Sequence, residues 1–480
     1  MKKRCYSKIA TQTYTFSRLQ KLKNLLSKSQ YEKCKQLVRY IQNRVRYKSS
    51  LDWVDIPSIT LQKVIGNNYL ETIKFLVEHQ IIDVNKQYFE NQSRRYRINP
   101  ATLKSEMILE ESEVRISKPN TYLEKRTNRV LKLLSCNEEK VFHFINKVYF
   151  RSEHFFSKFK VVKNNSNPKQ SIRLIVNPSS GKKLHLTMIQ AQEMANGQSL
   201  SIIEDDRRFY LTNYDDYMER KTVNSKCCYN LQTRTVIDGT RNSPSRNKTN
   251  NRLDTIITNY PNVLLPYFKL DGEDMYSLDL SNSQITILAA IIDLLINGNN
   301  DYLGEILDNL GYMNLDFNLL CFPNSSMPSN IDDFYSFKKL VAQGKIYDFM
   351  KDKMKISRDE SKTSMFHVLF SDYKNSTNYK KELKKCFPTV VTFVDAFKKK
   401  YDSTENHNFC ILLQSIESYI FIDQILYPLL KKEKIDCLSK HDSILCKESD
   451  KEFVKQYSIE VLDKYLGDGC FSLKEEQLSI

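Results

Sequence analysis

The sequence predicts an α+β protein built from several domains, and three observations carry that expectation. Residues 18–46 place Leu19, Leu22, Leu26, Leu37, Val38 and Ile41 at helical spacings with no Gly or Pro. After Ile56-Pro57 the rhythm changes to short helices and extended runs, and in the C-terminal half short strand-like runs lead into apolar helices. At 480 residues, 41% of them hydrophobic and with 28 Tyr and 25 Phe, the chain can bury a sizeable core, which excludes a small stapled scaffold and a disordered chain.

The charge points to a polyanionic partner. Lys and Arg number 73 against 57 Asp and Glu, a net +16, and the first 50 residues hold 14 of the basic residues against one acid, Glu32. Tyr6, Tyr14, Phe16, Tyr31, Tyr40 and Tyr47 are interleaved with them, as phosphate contact combined with base stacking requires, although a solvated basic helical face has the same pattern. The eleven cysteines include no C-x-x-C pair, and Cys227-Cys228 are adjacent, so they read as reduced thiols of a cytoplasmic protein. The N-terminus lacks the apolar core of a signal peptide, and the apolar run at 285–296 is interrupted by Asp293 and too short to span a bilayer; no membrane role is expected.

Four regions follow in order. Residues 1–50 read as a basic helical region. Residues 51–118 read as a winged-helix module: a short helix through Leu61, Val64 and Ile65 stops at Gly66, a longer one carries Tyr69, Ile73, Leu76 and Val77 on one face, and a hairpin over 88–98 returns with Arg94, Arg95 and Arg97 as phosphate ligands. Protein docking is the alternative use of such a module. Residues 119–250 form a mixed, thumb-like connecting region, with a helix over 122–148, strands near 172–176 and 201–203, a helix near 187–195, and a mobile loop or linker at 238–251. Glu204-Asp205-Asp206 reads as a loop acid run. Residues 251–480 carry the chemistry.

Three signals stand out there. Tyr276-Ser277-Leu278-Asp279-Leu280 is a short strand running into an apolar helix, with Asp279 at the junction. An acid at the end of a buried strand can hold a divalent cation, or it can cap the helix. Leu438-Ser439-Lys440-His441-Asp442-Ser443-Ile444 reads as two strand-like runs meeting at His441-Asp442, which could set a second carboxylate beside the first or be a structural turn. Ser357 and Glu360 form a capping-box pattern before a helix on which Arg358, Lys362, Phe366 and Phe370 recur every four residues. Two cations followed by two rings on one face suit phosphates, then base and sugar; an amphipathic helix with inward-packed Phe is the plainer alternative.

Taken together, the strand acid, the Arg-x3-Lys-x3-Phe helix and the His-Asp hairpin resemble the palm and fingers of family A DNA polymerases and the related phage-type single-subunit RNA polymerases, over roughly residues 250–480. Asp279, Ser281 and Gln284 hold the places of the family's Asp-x-Ser-x-x-Glu, and His441-Asp442-Ser443 is the form common in the RNA enzymes. Residues 252–284 also look like polymerase-like proteins of bacterial mobile elements.

The resemblance implies a right-hand polymerase domain that extends a nucleic-acid 3′ end on a DNA primer-template from nucleoside triphosphates. Asp279 and Asp442 would hold two Mg²⁺, with Mn²⁺ as a possible substitute. Lys362 would neutralise the triphosphate and protonate the leaving pyrophosphate, and Arg358 would grip the terminal phosphate. Phe366 would stack on the incoming base. Arg252 would touch the last primer pair, His441 would lie near the primer terminus, and Gln414 would sit on a helix near the template. Gln284 and Phe370 replace the family's Glu and Tyr at the sugar, so Gln284 could block a 2′-hydroxyl or bond to it. Ser281 belongs to the same nucleotide-facing set. An RNA polymerase or primase-like enzyme, and an inactive DNA-binding replication initiator with an unknown partner protein, are the alternatives.

Overall fold

The computed structural model describes residues 6–45, 53–85, 93–117, 119, 121–163, 167–177, 182–205, 208–239, 244–297, 301–310, 331–401 and 408–480. They form a mixed helix and sheet protein of two compact units, one from Ser117–Cys136 with Asn242–Ile480, the other from Cys5–Ile116 with Asn137–Arg241.

In the second of these, the N-terminal residues depart from the helical expectation. Tyr6–Phe16 is a strand paired with Met107–Ser117, and the helix proper is Lys28–Val45. Ile9, Thr11, Thr13 and Thr15, β-branched at every second position, suit a pleated surface better than a helix. The helix buries Tyr31, Cys34, Leu37, Val38 and Ile41 at spacings of three and four, and they share a core with Val54, Leu61, Ile73, Leu76 and Tyr96. Helices Ser58–Ile65 and Tyr69–Glu78 follow, the first closed by Gly66 at φ +91°. Val77 lies outside the buried stripe.

An antiparallel three-stranded sheet, in the order Val54–Asp55, Arg95–Ile98, Ile82–Val84, packs on these helices. The outgoing strand is Ile82–Val84 rather than the segment near Tyr88, and residues 86–92 lie outside the described residues. The expected acid run at 204–206 is also different: Ser201–Asp205 is a strand of a five-stranded sheet, and buried Asp205 accepts from Tyr217 Oη at 2.5 Å and Lys221 Nζ at 2.6 Å. Helix Met188–Gly197 packs its Ala191 and Ala195 on that sheet, and the 24-residue helix Tyr214–Ile237 follows it in the chain.

The C-terminal unit is organised around one sheet in the order Leu438–Lys440, Ser443–Lys447, Glu273–Leu280, Phe268–Leu270, Leu134–Cys136, with Leu473–Leu478 also paired to Glu273–Leu280. The helix expected over 122–148 is therefore interrupted: Tyr122–Leu131 ends, Leu134–Cys136 enters this sheet, and helix resumes at Glu138. Helix Ser283–Asn297 is buried almost all round from Ser283 to Ile292, because helices contact it on several sides.

Helix Ser283–Asn297, which holds the apolar run at 285–296, is short, but among the described residues Asn408–Glu433 is 26 residues long and apolar enough to cross a membrane, with its most apolar stretch mostly buried inside the fold. It is a core helix here, with Leu413, Ile416, Ile425 and Leu429 excluded from solvent. The described cysteines are all free thiols.

Candidate active site

The central strand Glu273–Leu280 carries Asp279 at its end, half-buried, and the chain turns through Ser281 and Asn282 before helix Ser283–Asn297 starts. Asn282, at φ +56°, accepts the first helical bonds from Ile285 and Thr286, so Asp279 does not cap the helix. Asp279 faces Ser443 across an antiparallel pair, and Leu280 N–H donates to the carbonyl of Asp442 at 3.1 Å. Asp442 itself sits in the two-residue turn between Leu438–Lys440 and Ser443–Lys447, where His441 adopts φ +58°. The register thus brings the two expected acids together.

Electrostatics records that proximity. Burial pushes the Asp279 carboxyl up to about 7, the Asp442 charge adds to the rise, and Lys474 and Lys362 oppose it without cancelling it. Two hard carboxylates held side by side with too little positive charge suit a Mg²⁺ or Mn²⁺ ion, which would relieve their repulsion. Among the described residues, no group of three His, Cys, Asp or Glu is arranged to hold a metal, so the acids act as a pair.

Lys362 belongs to helix Arg358–Phe370, whose start is fixed by the capping box: Ser357 Oγ accepts from Glu360 N–H and the Glu360 carboxylate accepts from Ser357 N–H. Arg358 and Lys362 are exposed, and Phe366 and Phe370 are half-buried with their rings stacked at 5.5 Å and 17°. The core of this helix is instead Met365, Val368 and Leu369, so the expected stripe is left open for a ligand. Lys398, 2% exposed, donates Nζ to the carbonyls of Val368 and Ser371 and so closes the helix's far end. Arg358 pairs with Asp348 at 3.2 Å and lies over the ring of Tyr347, a buried phenol raised by burial and lying in the field of Asp442. Gly344, at φ +68°, makes the turn before Tyr347, and a side chain there would touch Ser281 and Ser472.

Residues 238–251 are expected to be a mobile loop or linker, but from Ser245 onward this segment is laced to the apolar helix. Arg246 forms a bidentate pair with Asp423 at 2.9 Å, Asn250 Nδ2 donates to Gln414 Oε1 at 2.8 Å, and Ser418 Oγ donates to Asn251 O at 2.6 Å. Gln414 is therefore turned to this strap, its own Nε2 at 3.0 Å from Cys410 Sγ. Arg252 donates Nη2 to Glu417 at 2.5 Å. His441 is exposed at the turn and lies in the field of Arg252, Asp442, Lys440 and Asp254; partial desolvation together with the Arg252 charge keeps its imidazole pKa below the usual value.

No protein-family model matches this chain, and no curated protein matches it. Among solved structures it is similar to the POL domain of Pol1 from M. smegmatis in complex with DNA primer-template and dNTP, at 12% identity and a TM-score of 0.32, covering 74% of this chain and 65% of that one. The chain thus matches just under two thirds of that domain's length. A likeness this distant leaves function to the residues themselves.

Three residues of the site were not singled out from sequence. Lys474, the cross-strand partner of Asp279, has no local signal. Neither does Tyr347. Glu417 does have one: it is a lone acid inside the run Ile411-Leu412-Leu413-Gln414-Ser415-Ile416-Glu417-Ser418-Tyr419-Ile420, where burial demands a partner.

In the other unit, the three candidate arginines divide. Arg95 pairs with Asp55 at 3.3 Å, and Arg97 pairs with Asp83 at 2.7 Å and lies over the Trp53 ring. Arg94 is exposed.

Proposed function

We propose that this chain is a template-directed nucleotidyltransferase, a family A-like DNA polymerase without proofreading, that extends a nucleic-acid 3′ end using nucleoside triphosphates. The observation that carries this reading is the meeting of Asp279 and Asp442 across one strand pair, within the field of Lys362 on a helix that leaves two cations and two rings open. Asp279 and Asp442 would hold two Mg²⁺ ions, or Mn²⁺ in their place. Bound there, the metal supplies an activated 3′-hydroxyl and charge neutralisation at the triphosphate.

The chain's own residues do the rest. Lys362 meets the triphosphate and can pass a proton to the leaving pyrophosphate, and Arg358 exchanges Asp348 for the terminal phosphate. That exchange is inexpensive because the Arg358–Asp348 pair is half exposed on both sides. Phe366 stacks on the base with Phe370 behind it. Arg252 and His441 contact the primer end. Helices Ser58–Ile65 and Tyr69–Glu78 and the three-stranded sheet support a winged-helix reading of residues 51–118, with Arg94 as the phosphate contact and Arg95 and Arg97 anchoring the sheet.

RNA synthesis is the second reading, favoured by the lack of a hydroxyl on Phe370 and by His441-Asp442-Ser443. Extension of a labelled primer on a DNA template with Mg²⁺, run with dNTPs and rNTPs in parallel and repeated with Asp279→Ala, tests both. Templated growth lost in the variant supports the reading and identifies the sugar. Tight DNA binding with no growth from either sugar would favour an initiator.

A further inference from the structure

Glu417 is 1% exposed and three polar groups from two other elements converge on it. Arg252 Nη2 donates to Oε1 at 2.5 Å, Ser283 Oγ donates to Oε2 at 3.0 Å, and Gln284 Nε2 faces the same Oε2 at 3.5 Å. The Gln284 amide thus has its nitrogen turned inward, toward a carboxylate oxygen that accepts. Arg252 Nε and Gln284 Oε1 are then each left buried without a partner, one a donor and the other an acceptor.

Structure alone gives little reason for an acid at this position. Burial and the nearby Asp442 both push Glu417 toward the neutral form, and the Arg252 guanidinium opposes them. An apolar or amide side chain would fill the same place in a helix that is otherwise apolar. What the carboxylate adds is a fixed position for two groups that arrive from separate segments, the strap ending at Arg252 and the start of helix Ser283–Asn297.

We propose that Glu417 is a positioning residue that holds Arg252 and Gln284 as one unit, so that recognition of the last primer pair and choice of the incoming sugar are coupled through a single carboxylate. The proposal rests on the polymerase reading. Once bound nucleic acid draws them out of the buried cluster, the Arg252 N–H matches the acceptors that every base pair presents in the minor groove, and the Gln284 oxygen matches a sugar hydroxyl. Loosening Glu417 would relax both.

Two measurements on full-length protein test it, using Glu417→Gln, Arg252→Ala and the double variant. The first is nucleotide-free affinity for primer-templates with matched or mismatched 3′ ends, by fluorescence anisotropy. The second is the ratio of dNTP to rNTP incorporation. Glu417→Gln should stay folded, with a lowered thermal midpoint from the broken buried pair, and keep its overall DNA affinity, yet lose about tenfold in end discrimination and shift the sugar ratio by about tenfold. The double variant should discriminate ends no worse than Arg252→Ala. A Glu417→Gln protein that matches wild type in both, or that moves one without the other, overturns the coupling. A wild-type protein that extends no primer overturns the polymerase reading and the sugar half of this proposal, while the binding measurement still decides the Arg252 half.

Discussion

Asp279 and Asp442 meet because Asp279 pairs across the sheet with Ser443, the residue after Asp442, and Leu280 N–H donates to the Asp442 carbonyl at 3.1 Å. A one-residue slip of that pairing would turn Asp279 to the opposite face. The pair is therefore as precise as the register, and it stores like charge at a half-buried point.

That stored charge has a stability consequence. The Asp279 carboxyl rises from its ordinary 3.8 to about 7, so between those values the folded protein keeps a proton that the unfolded chain has lost. Stability is full below about pH 4 and falls as pH rises toward 7, by at most about 4 kcal/mol at roughly 1.4 kcal/mol per unit. Asp279→Asn should melt higher than wild type at pH 8 in EDTA, with the difference vanishing near pH 4. A constant difference across that range would contradict the account.

Removing the second acid should stop the reaction without removing the substrate. Asp442→Ala is expected to abolish incorporation while primer-template affinity stays within a few fold, since most nucleic-acid affinity comes from cations meeting phosphates. Active Asp442→Ala protein would place the chemistry elsewhere.

The open stripe on helix Arg358–Phe370 should divide by chemistry. Lys362→Ala should lower kcat/KM for nucleotide by about 2–3 kcal/mol, and Phe366→Ala by about 1–3 kcal/mol, the second mainly through KM. Single-turnover kinetics over a nucleotide series separates the two. Equal, small effects from both would mean the nucleotide binds on another face.

Lys398 holds the far end of that helix from inside the core. Lys398→Met keeps the apolar stem but strands the carbonyls of Val368 and Ser371, which should cost about 2–4 kcal/mol in urea unfolding. A change below about 0.5 kcal/mol would show that water or a neighbour takes over both bonds.

The arginines of the three-stranded sheet should separate affinity from stability. Arg94→Ala should weaken DNA binding and reduce the slope of log affinity against log salt by about one, leaving the melting point unchanged. Arg97→Ala loses the Asp83 pair and the Trp53 face, and should lower the melting point instead. The reverse pattern would exchange their roles.

Much of the site was legible because its signals are local. The capping box from Ser357 to Glu360 spans four residues, the four-residue spacing from Arg358 to Phe370 sets a face by helix geometry alone, and the strand-like runs around His441-Asp442 closed into a hairpin. The N-terminal strand Tyr6–Phe16 was read as part of a helical region because its partner, Met107–Ser117, lies about a hundred residues away. Leu134–Cys136 was read inside a helix for the same reason: its place at the edge of a sheet depends on Phe268–Leu270. The segment after Ser245 looked like a linker because Arg246, Asn250 and Asn251 find Asp423, Gln414 and Ser418 only in the folded chain.

The sequence by itself determined which residue types could do chemistry and on which helix face or strand end they lie, since capping, helical period and turn chemistry act over a few residues. Only the tertiary structure decided that Asp279 stands beside Asp442, that Arg252 is held by Glu417, and that Arg95 and Arg97 are engaged with Asp55 and Asp83 while Arg94 is exposed. Those outcomes depend on strand register and on burial, and both are set by pairings between segments far apart in the chain, which no local pattern encodes.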